Sequence, residues 1–484
     1  MSPRIATALG IAAVAAVVAA GTATRPASAP ADTAGPSATR PVNRVQLVCP
    51  GLDGSAGAPV QISAVDVGRL LDPATARPVR VTLSPLQVPA AGSVATASLS
   101  PAPVVTTTFK TRLPATVLTA VGPGAGDLIA SQHLLVPDGT LRGLVSAPCL
   151  PTTTDSWIAG ADGRVGHNDV LVIANPGGTD ADVTASAWSS TGRVDLPGLQ
   201  SLSVPAGHAV ELAVANYAPD DGLVSFHIHA DAGRVAAQVR ANQLNGLSAA
   251  GTDWLPPGLP PTTHLVVPGY TAGAGPRLLV VTNPGPQDAT VRLRLLTSDR
   301  AFVPAGHPDL VVPPGRSGFV DLSTSLGGAA AAAELTSDQP VIAAGTSQAT
   351  SPGGVQDFGW QPAASALTGP AVLADNTPAL GGGATLALTT IGRPATVRLV
   401  GRSGQSRTVA VGADRTVSLD LRALLGADGV GPLAVVPVSG TVWASRSIAA
   451  QGAHGPLLTV LAPGSPPPPI RLPAVREDQR VGVR

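Results

Sequence analysis

The chain has 484 residues, with as many lysines and arginines (30) as aspartates and glutamates (30), so its formal net charge is zero. That excludes the cationic excess a nucleic-acid-binding protein needs. Glycine (55) and proline (49) are abundant, charged residues make up 12% and hydrophobic residues 44%, a balance that excludes wholesale disorder and disfavours a mainly helical fold.

Residues 5–24 carry no charge and follow Arg4. Such a stretch is long enough to span a bilayer, and its positive flank matches an export signal. We read 1–24 as an N-terminal apolar helix, either a signal peptide or a signal anchor. Both fates place the rest of the chain outside the cytoplasm. Residues 25–43, rich in Pro, Ala, Ser and Thr, read as a disordered linker. The two cysteines, Cys49 and Cys149, then form the even pair expected to bridge in an exported protein. Such a bridge requires the first and last strands around them to lie side by side.

Internal similarity carries most of the information. Leu47-Val48-Cys49-Pro50-Gly51 matches Leu265-Val266-Val267-Pro268-Gly269, and Gly160 stands 109 residues from both Gly51 and Gly269. Asp169–Gly177 (DVLVIANPG) matches Arg277–Gly285 (RLLVVTNPG), and Ala384–Gly392 is a copy lacking the Asn-Pro. Val204-Pro205-Ala206-Gly207 matches Val312-Pro313-Pro314-Gly315 in the same register. These blocks define four units, 44–150, 151–255, 256–362 and 363–462, before a Pro-rich disordered tail at 463–484.

Within the third unit, short apolar runs end at Pro-Gly or Asn-Pro-Gly turns, and Val291, Leu293 and Leu295 alternate with Arg292 and Arg294 as in a half-buried strand. Seven such strands in about 105 residues predict an immunoglobulin-like or fibronectin-like β-sandwich. The expected fold is therefore all-β: four tandem sandwiches forming a semi-rigid rod. A propeller fits the 109-residue period poorly, because blades recur about every 40–50 residues.

Unit borders carry Asp155 with Trp157, Asp253 with Trp254, and Asp357 with Trp360. Each Trp is expected to plug a seam between sandwiches; an interface or sugar-stacking platform is the sharper alternative. Signatures of catalysis fail: the single lysine, Lys110, lies outside any P-loop, and no Gly-x-Ser-x-Gly, His-Glu-x-x-His or Cys-x-x-Cys occurs. His227 and His229 share one face of a strand, and Asp220, Asp221 and Asp231 lie near them in sequence. We expect a solvent-facing pair there rather than a metal site, and turn or cap roles for Asp180, Asp182, Asp220 and Asp221. No catalytic residue, metal or cofactor is assigned.

The order of the Ala147-Pro148-Cys149, Asp155-Ser156-Trp157 and Asn175-Pro176-Gly177 motifs resembles a family of uncharacterised actinobacterial secreted or membrane-anchored envelope proteins, over residues 44–462. The resemblance implies an extracytoplasmic, membrane-tethered protein; it implies no reaction and transfers no functional residues. The resulting expectation is a non-catalytic structural or protein-interaction module of the cell envelope. Its partner would be an envelope protein or glycan, with membrane attachment through the N-terminal helix. A glycan-binding module and an envelope-polymer hydrolase are the alternatives.

Overall fold

The second strand of each unit, Val60–Asp66, Val170–Asn175, Arg277–Asn283 and Gly383–Thr390, carries apolar residues on both faces, and nearly every residue in it is buried. A strand that is apolar on both faces must be covered on both faces. The computed structural model shows how. It describes residues 39–40, 42–51, 59–74, 77–86, 95–99, 103–109, 114–306, 309–467 and 470–471. The expected N-terminal helix lies outside these residues, as does Lys110. Among the described residues no helix is long and apolar enough to cross a membrane.

The described residues fall into two units. One contains the short antiparallel pair Thr39–Arg40 with Ile470–Arg471. The other holds everything from Val42 to Pro467. Within it, one strand connectivity recurs four times. In the second repeat, Asp155–Ala161, Val224–Ala232, Ala181–Trp188 and Leu202–Val204 lie in that order in one sheet. His208–Ala213, Val170–Asn175, Ala236–Asn245 and Ser248–Leu255 form the facing sheet. All pairings are antiparallel, and the apolar faces of the two sheets share a core.

Two expectations change here. The first and second strands of each repeat lie in opposite sheets, whereas the immunoglobulin arrangement puts them together. Strand spacing along the chain does not encode which sheet receives each strand. The last two strands expected in the third unit are one continuous strand, Ala331–Thr350, whose halves serve different sheets. The following strand, Gln356–Pro362, completes the second sheet and was read only as a unit border.

The repeats do not form a rod. Each packs on the next through mixed cores: Val172, Ala174 and Trp254 join the core of the first repeat, while Val280, Ile342 and Trp360 join that of the second. Val266 and Ala332 meet Trp443 at the third seam. Val65, Val67 and Leu70 meet Val372, Val400 and Ala434, so the fourth repeat returns to the first. The result is a closed ring; a linear array would leave Val65, Val67 and Leu70 exposed. Arg294, expected to face water, instead spans the third seam, with Nη2 2.8 Å from Asp414 and Nε 2.7 Å from Glu334.

The last strands of the four repeats, Gly143–Pro148, Ser248–Leu255, Gln356–Pro362 and Gly455–Leu461, contact one another around the ring axis. Gly143, Gly251 and Gly359, spaced 108 residues apart, permit this approach. A β-carbon on Gly143 would lie 2.7 Å from the Thr252 carbonyl oxygen, and one on Gly359 2.6 Å from Val460 Cγ2. Cys49 and Cys149 form a disulfide with Cα atoms 4.1 Å apart. Leu150–Pro151, immediately after Cys149, pairs with Arg44–Cys49, which brings the two ends of the first repeat side by side.

The turn motifs also acquire a structural role. Asn175 Nδ2 donates to the Val204 carbonyl at 2.9 Å, while its Oδ1 accepts from the Gly177 amide at 2.8 Å. Asn283 repeats this with Val312 at 3.0 Å and Gly285 at 3.0 Å. The Asn-Pro-Gly and Val-Pro-x-Gly blocks are therefore two ends of one tie. In the fourth repeat, Thr390 donates to the Gly412 carbonyl and Asp414 Oδ1 accepts from the Gly392 amide at 2.9 Å, so two side chains share the work of one asparagine.

Candidate functional site

Among the described residues, two gatherings of titratable groups bear on function: one at the ring axis and one on the outer face of the second repeat.

At the axis, Asp253 Oδ1 accepts from Thr459 Oγ1 at 3.1 Å and the Ser146 amide at 3.4 Å, while Oδ2 accepts from the Trp360 amide at 3.3 Å. One carboxyl thus touches the last strands of the other three repeats. Asp357 Oδ2 accepts from the amides of Leu144 at 3.0 Å and Leu458 at 2.9 Å. Both aspartates are fully buried. Burial raises the Asp253 carboxyl well above its ordinary range and pushes Asp357 up to about 7. Asp357 adds its charge to the forces raising Asp253. Both carboxyls are sealed from solvent and hydrogen-bonded to groups of neighbouring repeats. Their role in the fold is to tie the four central strands together. One end of the axis opens into a depression of about 690 Å³, ringed by the hairpin turns that carry Asp138, Arg142, Leu247, Ser351 and His454.

The tryptophans divide. Trp254 is 1% exposed and Trp360 5%, so neither can serve as a sugar platform. Their rings fill seams instead, because hydrophobic burial between repeats uses their area. Trp157 is half-buried and lies on the outer face of the second repeat. Its ring stacks on His227 (3.9 Å between centroids, 9° between planes) and on Trp188 (5.6 Å, 16°). The shared Asp/Trp pattern therefore conceals two different positions: Asp155 and Trp157 lie on a first strand, whereas Asp253, Trp254, Asp357 and Trp360 lie on last strands.

On that outer face, antiparallel register sets Asp155 opposite His229 and Trp157 opposite His227. The intervening Ser156 and Ile228 point inward and are buried. Asp155 Oδ1 lies 3.0 Å from His227 Nε2 and 2.9 Å from His229 Nδ1. The three ligand-capable atoms lie within 4.8 Å of one another. Hydrogen bonds from His229 and then His227 hold the Asp155 carboxyl down at about 2, and the Asp155 carboxylate in turn raises His229. Behind His229, Nε2 faces Asp231 Oδ1 at 3.8 Å, and Asp231 Oδ2 accepts from Thr184 Oγ1 at 2.7 Å.

Sequence reading identified the histidine pair but took its acidic neighbours from nearby sequence. Asp220 and Asp221 are not in the cluster, and Asp221 instead accepts from Thr191 Oγ1 at 2.8 Å. Asp180 accepts from the Ala206 amide at 2.9 Å in a turn. The missing partner, Asp155, lies 72 residues before His227, and only strand pairing brings it there.

A model of a protein family of unknown function, DUF5719, matches residues 104–422, about two thirds of the chain. The chain belongs to this family. Among curated proteins, no relative matches it.

Proposed function

For this member of the family, we propose a non-catalytic role: a rigid scaffold or protein-interaction module displayed in the extracytoplasmic cell envelope and held at the membrane by its N-terminal apolar segment. The observation that carries the reading is the closed ring. The axial carboxyls of Asp253 and Asp357 are consumed in holding the four repeats together, so the parts free to meet a partner are outer sheet faces and loop ends. The repeats, immunoglobulin-like in size but not in connectivity, present these surfaces on a rigid frame.

The disulfide supports the compartment. Cys49 and Cys149 are the chain's two cysteines and are joined, leaving no free thiol. Disulfides persist in oxidising compartments and are rare in the cytosol. The low charge supports recognition through backbone edges and small apolar patches rather than through long-range electrostatics.

The test is in the native host. Cells carrying the full chain are fractionated, and thiols are blocked before lysis. The envelope fraction is then cross-linked and the captured proteins and glycans identified. Recovery in the envelope with both cysteines oxidised and a reproducible partner supports the proposal. A cytosolic protein with reduced cysteines, or purified protein that cleaves envelope polymers, overturns it.

A further inference from the structure

We propose that Asp155, His227 and His229 form a three-ligand site for a zinc-type divalent transition-metal ion on the outer face of the second repeat. The ligating atoms are Asp155 Oδ1, His227 Nε2 and His229 Nδ1.

The donor set is the first argument. Two imidazole nitrogens and one carboxylate oxygen are ligands of choice for Zn²⁺, and three protein ligands leave a fourth position for water or an exogenous anion. Geometry is the second. Around a tetrahedral Zn²⁺ with bonds of about 2.0–2.2 Å, ligand atoms stand about 3.3 Å apart. The two nitrogens lie 3.0 Å and 2.9 Å from the shared oxygen and within 4.8 Å of each other, so small side-chain movements bring the three atoms to that spacing.

Rigidity is the third. The ligands project from two paired strands, the edge strand Asp155–Ala161 and its neighbour Val224–Ala232, not from loops. Trp157 lies flat on the His227 ring and fixes its plane. His229, ligating through Nδ1, directs its Nε2–H toward Asp231, itself held by Thr184. At 3.8 Å this is an electrostatic contact rather than a hydrogen bond, and a short closing movement would convert it into the carboxylate–histidine–metal relay by which outer groups orient an imidazole. Asp231 is therefore a positioning residue rather than a ligand.

The third repeat offers an internal contrast. There, His264 Nε2 lies 3.0 Å from Glu334 Oε1, but Glu334 also receives Arg294 Nε at 2.7 Å, so a cation already occupies that carboxylate. Among the described residues, the ion-pair partners of Asp155 are His227 and His229 and no guanidinium.

The experiment uses the untagged full chain, stripped with a chelator and titrated with Zn²⁺ by calorimetry, with Co²⁺ as an absorbance probe of nitrogen–oxygen coordination. The expected result is one equivalent bound. His227→Gln, His229→Gln and Asp155→Asn are each expected to weaken binding at least tenfold, and Asp231→Asn by roughly 10-fold, the lower end of outer-group effects. His264→Gln should bind as the parent does. All these side chains are at least partly exposed, so unchanged melting confirms intact folding. No zinc uptake by the parent chain, or uptake that survives both histidine substitutions, overturns the proposal.

Discussion

The indole of Trp360 lies against Gly160 across the seam between the second and third repeats: a β-carbon on Gly160 would stand 2.7 Å from Trp360 Cη2. Gly160 also has a φ of +107°, which side chains with a β-carbon rarely adopt. One glycine thus serves both backbone shape and intermodular packing. Gly160→Ala is expected to destabilise the protein by about 2–5 kcal/mol through overpacking and backbone strain. Trp360→Ala should cost about 3–5 kcal/mol. Because the residues touch, the double variant should lose less than the sum of the two. Denaturant midpoints of the four proteins measure this, and strict additivity would contradict the packing account.

The asparagine ties allow a second test. Asn283→Ala would leave the Val312 and Gln287 carbonyls and the Gly285 amide without their side-chain partner. A loss of about 2–4 kcal/mol is expected from several groups at about 1–3 kcal/mol each, partly recovered by water. Asn283→Thr should do better than alanine. The fourth repeat already uses Thr390 to reach the Gly412 carbonyl, the counterpart of the Pro313 carbonyl that Asn283 also reaches at 3.3 Å, although it needs Asp414 for the glycine amide. Thermal melts of both variants decide; equal losses for alanine and threonine would count against the tie.

Stability should depend on pH through the interior. Burial pushes Asp357 up to about 7 and Asp169 up to about 8, from the ordinary 3.8. The folded protein keeps these protons where the unfolded chain has released them. Their contribution is complete below the unfolded value and declines as pH rises towards 7 and 8. His133 works the other way: burial lowers it from 6.5 to about 4, so stability rises over that interval. Above pH 6.5 the carboxyls act without this opposition. The melting temperature is therefore expected to fall from pH 6.5 to 8. Asp357→Asn should flatten part of that fall. Both amide donors reach Oδ2, while Oδ1 is buried without a protein partner, so an amide oxygen at Oδ2 keeps both bonds.

Removing the disulfide with Cys49→Ser and Cys149→Ser together should cost about 2–5 kcal/mol, as expected when a native bridge is lost. The bridge closes a separation of 100 residues within the first repeat. Reduction of the parent protein should lower its melting temperature to near that of the double variant. A reduced parent that melts with the oxidised form would show that strand pairing alone holds these ends.

Much of the fold was legible before any coordinates. Turn chemistry and period-2 runs announced strands because backbone preferences and half-burial act locally, and duplication left its register in Pro-Gly and Asn-Pro-Gly blocks. A clue to ring closure was also present. DVLVIAN and RLLVVTN do not alternate, and strands buried on both faces are apolar on both. Their significance depends on which surfaces cover them, however, and that is a long-range choice.

The sequence alone determined a net-neutral, strand-rich chain with fourfold internal repetition and one available cysteine pair. Only the tertiary structure decided that the fourth repeat would meet the first, that Asp253 and Asp357 would be sealed at an axis, and that Asp155 would face two histidines more than seventy residues away. Local steric and solvation preferences are written along the chain, whereas the partner across a sheet or seam depends on how all the apolar faces are covered at once.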